Sequence, residues 1–425
     1  MDPQSPLMFF VFLTFLLTWI GGMQFAAYRM LRDWTDSAFD EVQRDIWRKR
    51  ILQVMAGGTL LFLIRFLTPR LGLHDSSFIQ ALIINTGGLY FAIVFLLFII
   101  SVFYFLYRGS KYLYSLMKPS VSAPEANNPP ERKSYDPGRR EFIKKMGIVG
   151  LGAPVVLSTG LSAATHHNYQ FNKHRLYVKD LPSGLEGLRI VQLSDIHSGI
   201  YMNKKQIQEI FELANSQDPH LTLLTGDMID NHVSEIPNFR DAVNDLKAEY
   251  GVFGSPGNHD HYASIDAVMD SLADRKIKML RNDSANLNIN GERLSIIGVD
   301  DAGTGSLNFA NLDESFRNSD PEAFRIMLSH RPHLFDDARS KSVALTLAGH
   351  THGGQVAFNI AGFELYPIDL FHEYSRGLYT KNDRHLYVNT GVGLVGAPIR
   401  LVRPEIAVIT LTGNPELAKS WSEDA

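Results

Sequence analysis

The sequence contains no cysteine among its 425 residues. A disulfide framework and a thiolate metal site are therefore both excluded, and any bound metal must be held by histidine, aspartate, glutamate or asparagine. No charge of one sign dominates either, because the formal net charge is only -4. That balance gives no indication of a nucleic-acid partner. A chain of this length is expected to form two or more structural units.

Long hydrophobic runs are confined to the first 165 residues. Three runs, 7–28, 51–68 and 76–107, are long enough to cross a bilayer and carry almost no charge. The exception is Arg65, whose long side chain can reach the interface from the end of the second run. Buried helices of a soluble protein are the alternative, but three such runs in succession favour membrane spans. We therefore predict a three-span transmembrane region at residues 1–117.

The distribution of lysine and arginine predicts the orientation of these spans. Basic residues crowd the connections after the first and third spans, whereas the connection between the second and third holds only Arg70. The positive-inside rule then makes the first and third connections cytoplasmic and leaves the N-terminus outside. Residues 118–137 follow, and their content of proline, serine, asparagine and charge predicts a flexible linker.

A pair of arginines begins the next segment, residues 138–165. Arg139 and Arg140 precede a mildly apolar run, and this arrangement resembles a twin-arginine export signal. An ordinary fourth span with a basic flank is the alternative. Both interpretations place the remaining domain, residues 166–425, outside the cytoplasm, and they predict a multi-pass protein of the bacterial inner membrane. The small residues 162–164 offer a candidate cleavage site.

From residue 188 onward, short apolar strands alternate with polar loops and helical patterns. Residues 204–215 and 265–273 show helical periodicity. The predicted strands are 188–193, 220–224, 250–253, 294–299, 324–328, 343–347, 386–388 and 406–411. This pattern predicts an α/β fold, in which functional groups gather at the ends of the strands.

Five of these strand ends carry side chains of the kind that bind metals. They are Asp195 with His197, Asp227, Asn258 with His259, His330, and His350 with His352. A single aspartate after a strand is more often a turn or a helix cap, but five such tracts in one domain are not explained by capping. Ligands of nitrogen and oxygen without sulfur suit Mn, Fe or Zn. A set of this size exceeds one tetrahedral site and suits two adjacent metals that share a carboxylate.

Five tracts resemble, in this order, the five signature motifs of the calcineurin-like metallophosphoesterases. They are 195–197, 226–230, 257–260, His330 and 349–352. The resemblance covers roughly residues 186–412 and is closest to the membrane-anchored, twin-arginine-exported bacterial branch. It implies a β-sandwich with flanking helices, preceded here by the α-helical transmembrane region, with residues 166–425 as the catalytic domain.

The resemblance also implies a role for each motif residue. The first metal would be held by Asp195, His197 and His352. The second would be held by Asn258, His330 and His350, and Asp227 would bridge the two. His259 would donate a proton to the leaving oxygen, with Asp230 orienting it.

Further residues carry weaker expectations, and no substrate-binding residue is identified. Arg331 and Arg400 could face a substrate phosphate or serve the structure. Asp260, Asp300 and Asp301 are expected to cap or support, and His166, His167, His174 and His261 are expected to have no catalytic role.

The expected chemistry is hydrolysis of phosphate esters. Two cations about 3.5–4 Å apart offset the charge of the phosphate and lower the pKa of a bound water toward 7. The hypothesis is in-line attack by a metal-bridging hydroxide without a phosphoenzyme. A phosphodiester or pyrophosphate is the expected substrate, and a lipid-linked ester fits a domain tethered at a membrane. The alternatives are a phosphomonoesterase, or a metal-binding sensor or scaffold without catalysis.

Overall fold

The structure is a computed structural model that describes residues 6–67, 85–117, 141, 145, 168–303, 305–355, 357–360, 363–396 and 400–419. The chain divides into two compact units, Met1–Gly160 and Leu161–Ala425. The predicted linker at 118–137 lies outside the described residues. So does the twin-arginine-like segment at 138–165, apart from Glu141 and Lys145.

The first unit contains three long helices, α1 (Pro6–Ala38), α2 (Glu41–Leu67) and α3 (Asn85–Met117). The described parts of the three predicted spans are therefore helical. Within the described residues, one segment, Ile93–Met117, has both the length and the apolar composition needed to cross a bilayer. That the helices cross a membrane stays a prediction.

The second unit is built on fourteen described strands and seven described α-helices. The strands are β1 (Gln170–Tyr177), β2 (Arg189–Leu193), β3 (Leu221–Thr225), β4 (Val252–Ser255), β5 (Ile277–Met279), β6 (Asp283–Ile289), β7 (Glu292–Val299), β8 (Phe324–Ser329), β9 (Leu345–Ala348), β10 (Phe358–Ile360), β11 (Phe363–Leu365), β12 (Gly377–Lys381), β13 (Arg384–Val388) and β14 (Glu405–Thr412). The helices are α4 (Lys204–Asn215), α5 (Ile236–Ala242), α6 (Asn258–Ala263), α7 (Ile265–Leu272), α8 (Leu312–Arg317), α9 (Phe335–Ser340) and α10 (Pro415–Lys419).

Twelve of the strands form two six-stranded sheets, which confirms the predicted α/β class. The first sheet has the order β1-β14-β2-β3-β4-β5, and the second has the order β12-β13-β9-β8-β7-β6. Strands β2 to β5 are parallel, as are β7, β8, β9 and β13. Central parallel strands are buried on both faces, which is why they appear in the sequence as near-continuous apolar runs.

The two sheets share one core, so they face each other as a sandwich. Ile190 and Leu223 of the first sheet and Ile296 and Leu347 of the second belong to the same buried cluster. Helices cover the outer faces, and α4 is typical of them. Its residues Ile207, Ile210, Phe211 and Ala214 are fully buried, as the helical periodicity predicts. Asn203 caps this helix through the backbone N–H of Gln206.

The shared core generates a stability prediction. Leu347 is fully buried in the strand that leads to the His350 turn. Leu347→Ala should lower the free energy of unfolding by about 2–5 kcal/mol, because it leaves a cavity between the sheets. Leu417→Ala, at a leucine that is 40% exposed, is the matched control. It should change that free energy by less than about 0.5 kcal/mol in a urea titration. Equal effects of the two variants would contradict the shared core.

Candidate metal centre

The predicted ligands come together where the parallel strands of both sheets end. Asp195 and His197 follow β2, Asp227 follows β3, and Asn258 follows β4. His330 follows β8 of the second sheet, and His350 and His352 follow β9. Backbone hydrogen bonds join these loops directly. The His197 N–H donates to the Asp227 carbonyl over 2.9 Å, and the Gly349 N–H donates to the His330 carbonyl over 3.0 Å.

A first cluster consists of Asp195, His197 and His352, all of them buried. The Nε2 atoms of His197 and His352 are 3.1 Å apart, and Nε2 of His352 is 3.2 Å from Oδ1 of Asp195. Two ligands that bind one metal at about 2.0–2.1 Å are separated by roughly 3.0–3.4 Å. Both of these distances fall within that range, and Nε2 of His197 lies 3.9 Å from Oδ1 of Asp195. Two of the three pairs therefore have the spacing of ligands of one divalent metal.

A second cluster consists of Asp227, His330 and His350. Nε2 of His330 is 3.1 Å from Oδ2 of Asp227 and 3.2 Å from Nδ1 of His350. The spacing again matches ligands of a single metal. His350 would therefore ligate through Nδ1, whereas His352 would ligate through Nε2.

One oxygen of Asp227 lies between the two clusters. Its Oδ2 is 3.1 Å from Nε2 of His330 and 3.7 Å from Nε2 of His197. Its Oδ1 is held elsewhere, because it accepts the backbone N–H of His259 over 2.8 Å. Asp227 therefore has the position that a bridging carboxylate needs.

Asn258 supplies a further test of whether a metal fits. It begins α6 next to His259, and its side chain is 7% exposed. The buried Oδ1 of Asn258 has no hydrogen-bond partner among the described residues. A buried amide oxygen is costly without a partner, and an oxygen ligand to a metal satisfies it. The donor set thus fits two divalent cations. Asn258 adjoins the second cluster, because the backbone N–H of the next residue, His259, donates to Asp227.

The electrostatics of the centre also favour cations. Burial opposes charge on His330, yet the carboxylates of Asp227 and Asp195 raise its pKa to about 10. The same carboxylates therefore create a strongly negative field. Burial and the neighbouring His330 lower the pKa of His350 to about 3, which keeps this imidazole in the neutral form that ligates metals.

His259 lies beside the first cluster and is held by Asp230. Nδ1 of His259 lies 2.5 Å from the Asp230 carbonyl oxygen and 3.5 Å from Oδ1 of the same residue. A carbonyl oxygen only accepts, so Nδ1 carries a proton and Nε2 is the atom left for substrate. The atoms of His197, Asp230 and His259 are close enough to hold a metal, but a protonated Nδ1 does not ligate one. The arrangement agrees with the predicted roles of His259 and Asp230, which stay predictions.

The backbone of the centre is unusual. Five of the predicted ligands, Asp195, His197, Asp227, His350 and His352, have φ between 49° and 73°. This left-handed region is uncommon for residues other than glycine and concentrates at functional sites. Close packing adds a second constraint, because a Cβ on Gly349 would lie 1.9 Å from Oγ of Ser194 and 2.3 Å from Oδ2 of Asp195. Only glycine fits at that position.

The sequence left open whether Arg331 and Arg400 face a substrate phosphate or serve the structure, and the two arginines differ in the contacts that they make. Arg400 is fully buried and donates to the carbonyls of Thr390, Gly391, Gly393 and Val402, so its role is structural. Arg331 lies at the centre itself. It donates to both carboxylate oxygens of Asp301, and its Nη1 is 3.0 Å from Nε2 of His350.

The remaining weak candidates hold the loops in place. Asp260 accepts three backbone N–H groups, those of Met228, Ile229 and Gly257, and thereby ties the Asp227 loop to the Asn258 loop. Asp300 binds His261 and Arg281 over 2.7 Å each. His174 contacts the hydroxyl of Tyr387, 3.1 Å away. His166 and His167 lie outside the described residues.

Two supporting glutamates were not singled out from the sequence. Glu235 accepts the N–H groups of Asn231 and His232, next to Asp230. Glu405 is buried and accepts from Thr390 and from the hydroxyl of Tyr387. The capping-box spacing from His232 to Glu235 is the sequence signal that could have found Glu235, whereas no pattern connects Glu405 to Tyr387 and Thr390.

Comparison with known proteins agrees with this geometry. The calcineurin-like phosphoesterase profile matches residues 188–354. An uncharacterized metallophosphoesterase of Bacillus subtilis, YkuE, is 32% identical over 286 residues, which is 64% of this chain and 97% of the relative. A transmembrane protein with metallophosphoesterase domain from Danio rerio is 30% identical over 248 residues, 55% of each chain.

Among solved structures, a dimetal phosphatase from Danio rerio overlaps 53% of this chain and 94% of its own, with 11% identity and a TM-score of 0.35. The sequence relationships establish the family, because the Bacillus protein is covered almost completely at 32% identity. The chain belongs to the calcineurin-like metallophosphoesterases and is a phosphoester hydrolase.

Proposed function

We propose that this protein hydrolyses phosphodiester or pyrophosphate bonds with two divalent metal ions, for which manganese, iron and zinc are the candidates. Asp195, His197 and His352 would hold one metal, and Asn258, His330 and His350 the other. The observation that carries the proposal is the position of Asp227. Its Oδ2 faces a nitrogen of each cluster at 3.1 and 3.7 Å.

When bound, two such metals supply the positive charge that an anionic ester needs before a nucleophile can approach it. The residues of the chain keep that charge in place. The loops of β2, β3, β8 and β9 are joined by backbone hydrogen bonds, so the donor atoms are already aligned. Preorganised ligands avoid the cost of ordering the site during the reaction.

His259 has the geometry of a general acid for the leaving oxygen. Its Nδ1–H is directed at the Asp230 carbonyl, which leaves Nε2 to hold or release a proton. Its side chain is 17% exposed, so a substrate can reach it. Asp230 contacts both His259 and His197, and it therefore fixes the acid relative to the first cluster.

The membrane setting is part of the proposal. It is supported by the Ile93–Met117 segment and by exposed apolar side chains on α1 and α2, among them Phe25 and Val54. The distribution of lysine and arginine favours an extracytoplasmic catalytic domain. Relatives from Danio rerio and Bos taurus are named transmembrane proteins with a metallophosphoesterase domain. Lipid-linked phosphate esters are the substrates that such a location favours.

Removing the charge of the shared carboxylate tests the two-metal proposal. Asp227→Asn should lower the metal content of the purified protein below two ions per chain and reduce hydrolysis of bis-p-nitrophenyl phosphate by at least about a hundredfold. Metal content is measured by mass spectrometry after Mn²⁺ loading.

Asp218→Asn is the matched control. Asp218 has φ 48°, close to the 52° of Asp227, but belongs to none of the metal-type clusters. Full metal content and full activity in Asp227→Asn would refute the proposal.

The role of His259 is tested by varying the leaving group. His259→Gln should slow hydrolysis of alkyl esters by about 10²–10⁴-fold, because a basic alkoxide needs a proton. Esters of p-nitrophenol should be affected much less, since that leaving group is stable as an anion. Metal content should be unchanged. Loss of a metal ion, or an equal effect on both ester types, would instead make His259 a ligand or a structural residue.

A further inference from the structure

Three apolar side chains of the second unit, Leu365, Leu370 and Phe371, are far more exposed than its core requires. Their exposed fractions are 54%, 82% and 80%, the three largest among large hydrophobic residues described in this unit. We name these three residues the apolar tip. Single exposed leucines need no explanation, but Leu370 and Phe371 are neighbours in the chain, and neighbouring side chains this exposed indicate a contact surface.

The tip lies at the same edge of the second sheet as the metal centre. β13 runs parallel to β9, so both strands end at the edge where His350 and His352 follow. β12 runs antiparallel to β13, with Gly377 opposite Val388, so β12 begins at that edge. Leu370 and Phe371 precede Gly377, the first residue of β12, by seven and six residues. Topology therefore brings the segment that follows Leu370 and Phe371 to the edge of the metal-binding loops.

The segment that carries the tip is also attached to those loops, through residues next to Leu370 and Phe371. The Thr351 hydroxyl donates to the Ser375 carbonyl over 2.5 Å. Ile368 packs against Gly354, where an added Cβ would lie only 2.9 Å from it. The tip therefore cannot move far without disturbing the turn that carries His352.

Charges around the tip are neutralised by one another. Arg376 donates to Asp369 over 2.6 Å, and Lys381 donates to Glu373 over 2.8 Å. The Arg376 guanidinium also lies 3.3 Å from the centre of the Tyr366 ring. Contact with an apolar phase would therefore leave none of these four charges without a partner.

The size of the tip decides between possible occupants. Large apolar side chains bury about 150–250 Å² each when fully covered, so three partly exposed ones offer no more than roughly 500 Å². A stable protein partner covers about 800 Å² on each side. A bilayer needs no matched surface, and it accepts a few apolar side chains at its interface. The chain itself supplies a segment, Ile93–Met117, that is long and apolar enough to reside in a bilayer.

We propose that the apolar tip inserts into the bilayer surface and holds the edge of the metal centre against it, so that the esters hydrolysed are lipid-borne. This inference rests on the proposed phosphoesterase activity for its substrate, but not for the membrane contact itself.

The absence of cysteine allows the contact to be measured directly. Phe371→Cys in the full chain is labelled with a fluorophore and reconstituted into phosphatidylcholine vesicles, with or without a nitroxide-labelled lipid. Leu417→Cys is the matched control. Leu417 follows β14, which runs antiparallel to β2, so it lies at the opposite edge of its sheet.

The nitroxide lipid should quench the label at position 371 at least about threefold more strongly than the label at 417, because a side chain inserted at the boundary of headgroups and acyl chains comes close to the nitroxide. Equal quenching at the two positions would overturn the proposal. A signal at 371 that changes with protein concentration but not with the nitroxide lipid would assign the tip to a second copy of the chain, and would also overturn it.

Enzyme activity supplies an independent test with two esters that share the leaving group p-nitrophenol, one in a membrane and one in solution. Hexadecyl p-nitrophenyl phosphate is presented in vesicles, and bis-p-nitrophenyl phosphate is presented in solution. The double variant Leu370→Ser/Phe371→Ser should lower kcat/KM at least about tenfold for the vesicle ester and less than about twofold for the soluble one. Leu417→Ser should change neither.

An equal loss of kcat/KM for both esters would show that the tip only stabilises the folded domain, which would contradict the proposal. If the wild-type protein hydrolyses neither ester, the proposed function fails. The quenching experiment still decides whether the tip contacts the bilayer.

Discussion

The carboxylate of Asp227 is the group on which the rest of the centre depends. One of its oxygens is fixed by the backbone N–H of His259, and the other faces His330 and His197. A carboxylate so placed in a buried site needs positive charge on both sides. The carboxylates of Asp227 and Asp195 accordingly raise the pKa of His330. Two divalent cations would supply the positive charge that Asp227 needs, and each would also be ligated by neutral imidazoles.

The surrounding loops are built to keep these groups aligned. Left-handed backbone at five predicted ligands directs adjacent side chains such as His350 and His352 toward different clusters. Buried polar residues bind the backbone of the surrounding loops and hold this strained conformation in place. Arg400 binds four carbonyls of the 390–402 segment, and Asp260 binds three N–H groups of two other loops. Neither residue is a predicted ligand, yet the geometry of the ligands depends on both.

Much of this arrangement could be predicted from the sequence, and the exceptions have physical causes. The helix Lys204–Asn215 has the predicted bounds, since its apolar face and the Asn203 cap are both local signals. The buried strands before the metal-type residues were likewise visible as apolar runs. β1 was not predicted, because it is an edge strand with a polar sequence that pairs only with β14.

Other features depend on contacts between distant residues and leave no local pattern. The burial of Arg400 and the pairing of Tyr387 with Glu405 are of this kind. The nitrogen that each histidine directs at the centre, Nδ1 for His350 and Nε2 for His352, also follows only from the folded chain. The motif resemblance predicts how the ligands divide between two metals, but only the fold shows which nitrogen of each histidine faces its cluster.

The most direct test of the two-metal centre is a crystal structure of the Mn²⁺-loaded protein with anomalous difference maps. We expect two manganese peaks about 3.5–4 Å apart. One should lie among Asp195, His197 and His352, the other among Asn258, His330 and His350, and Oδ2 of Asp227 should contact both. A single peak, or a second peak bound by His259 and Asp230, would contradict it.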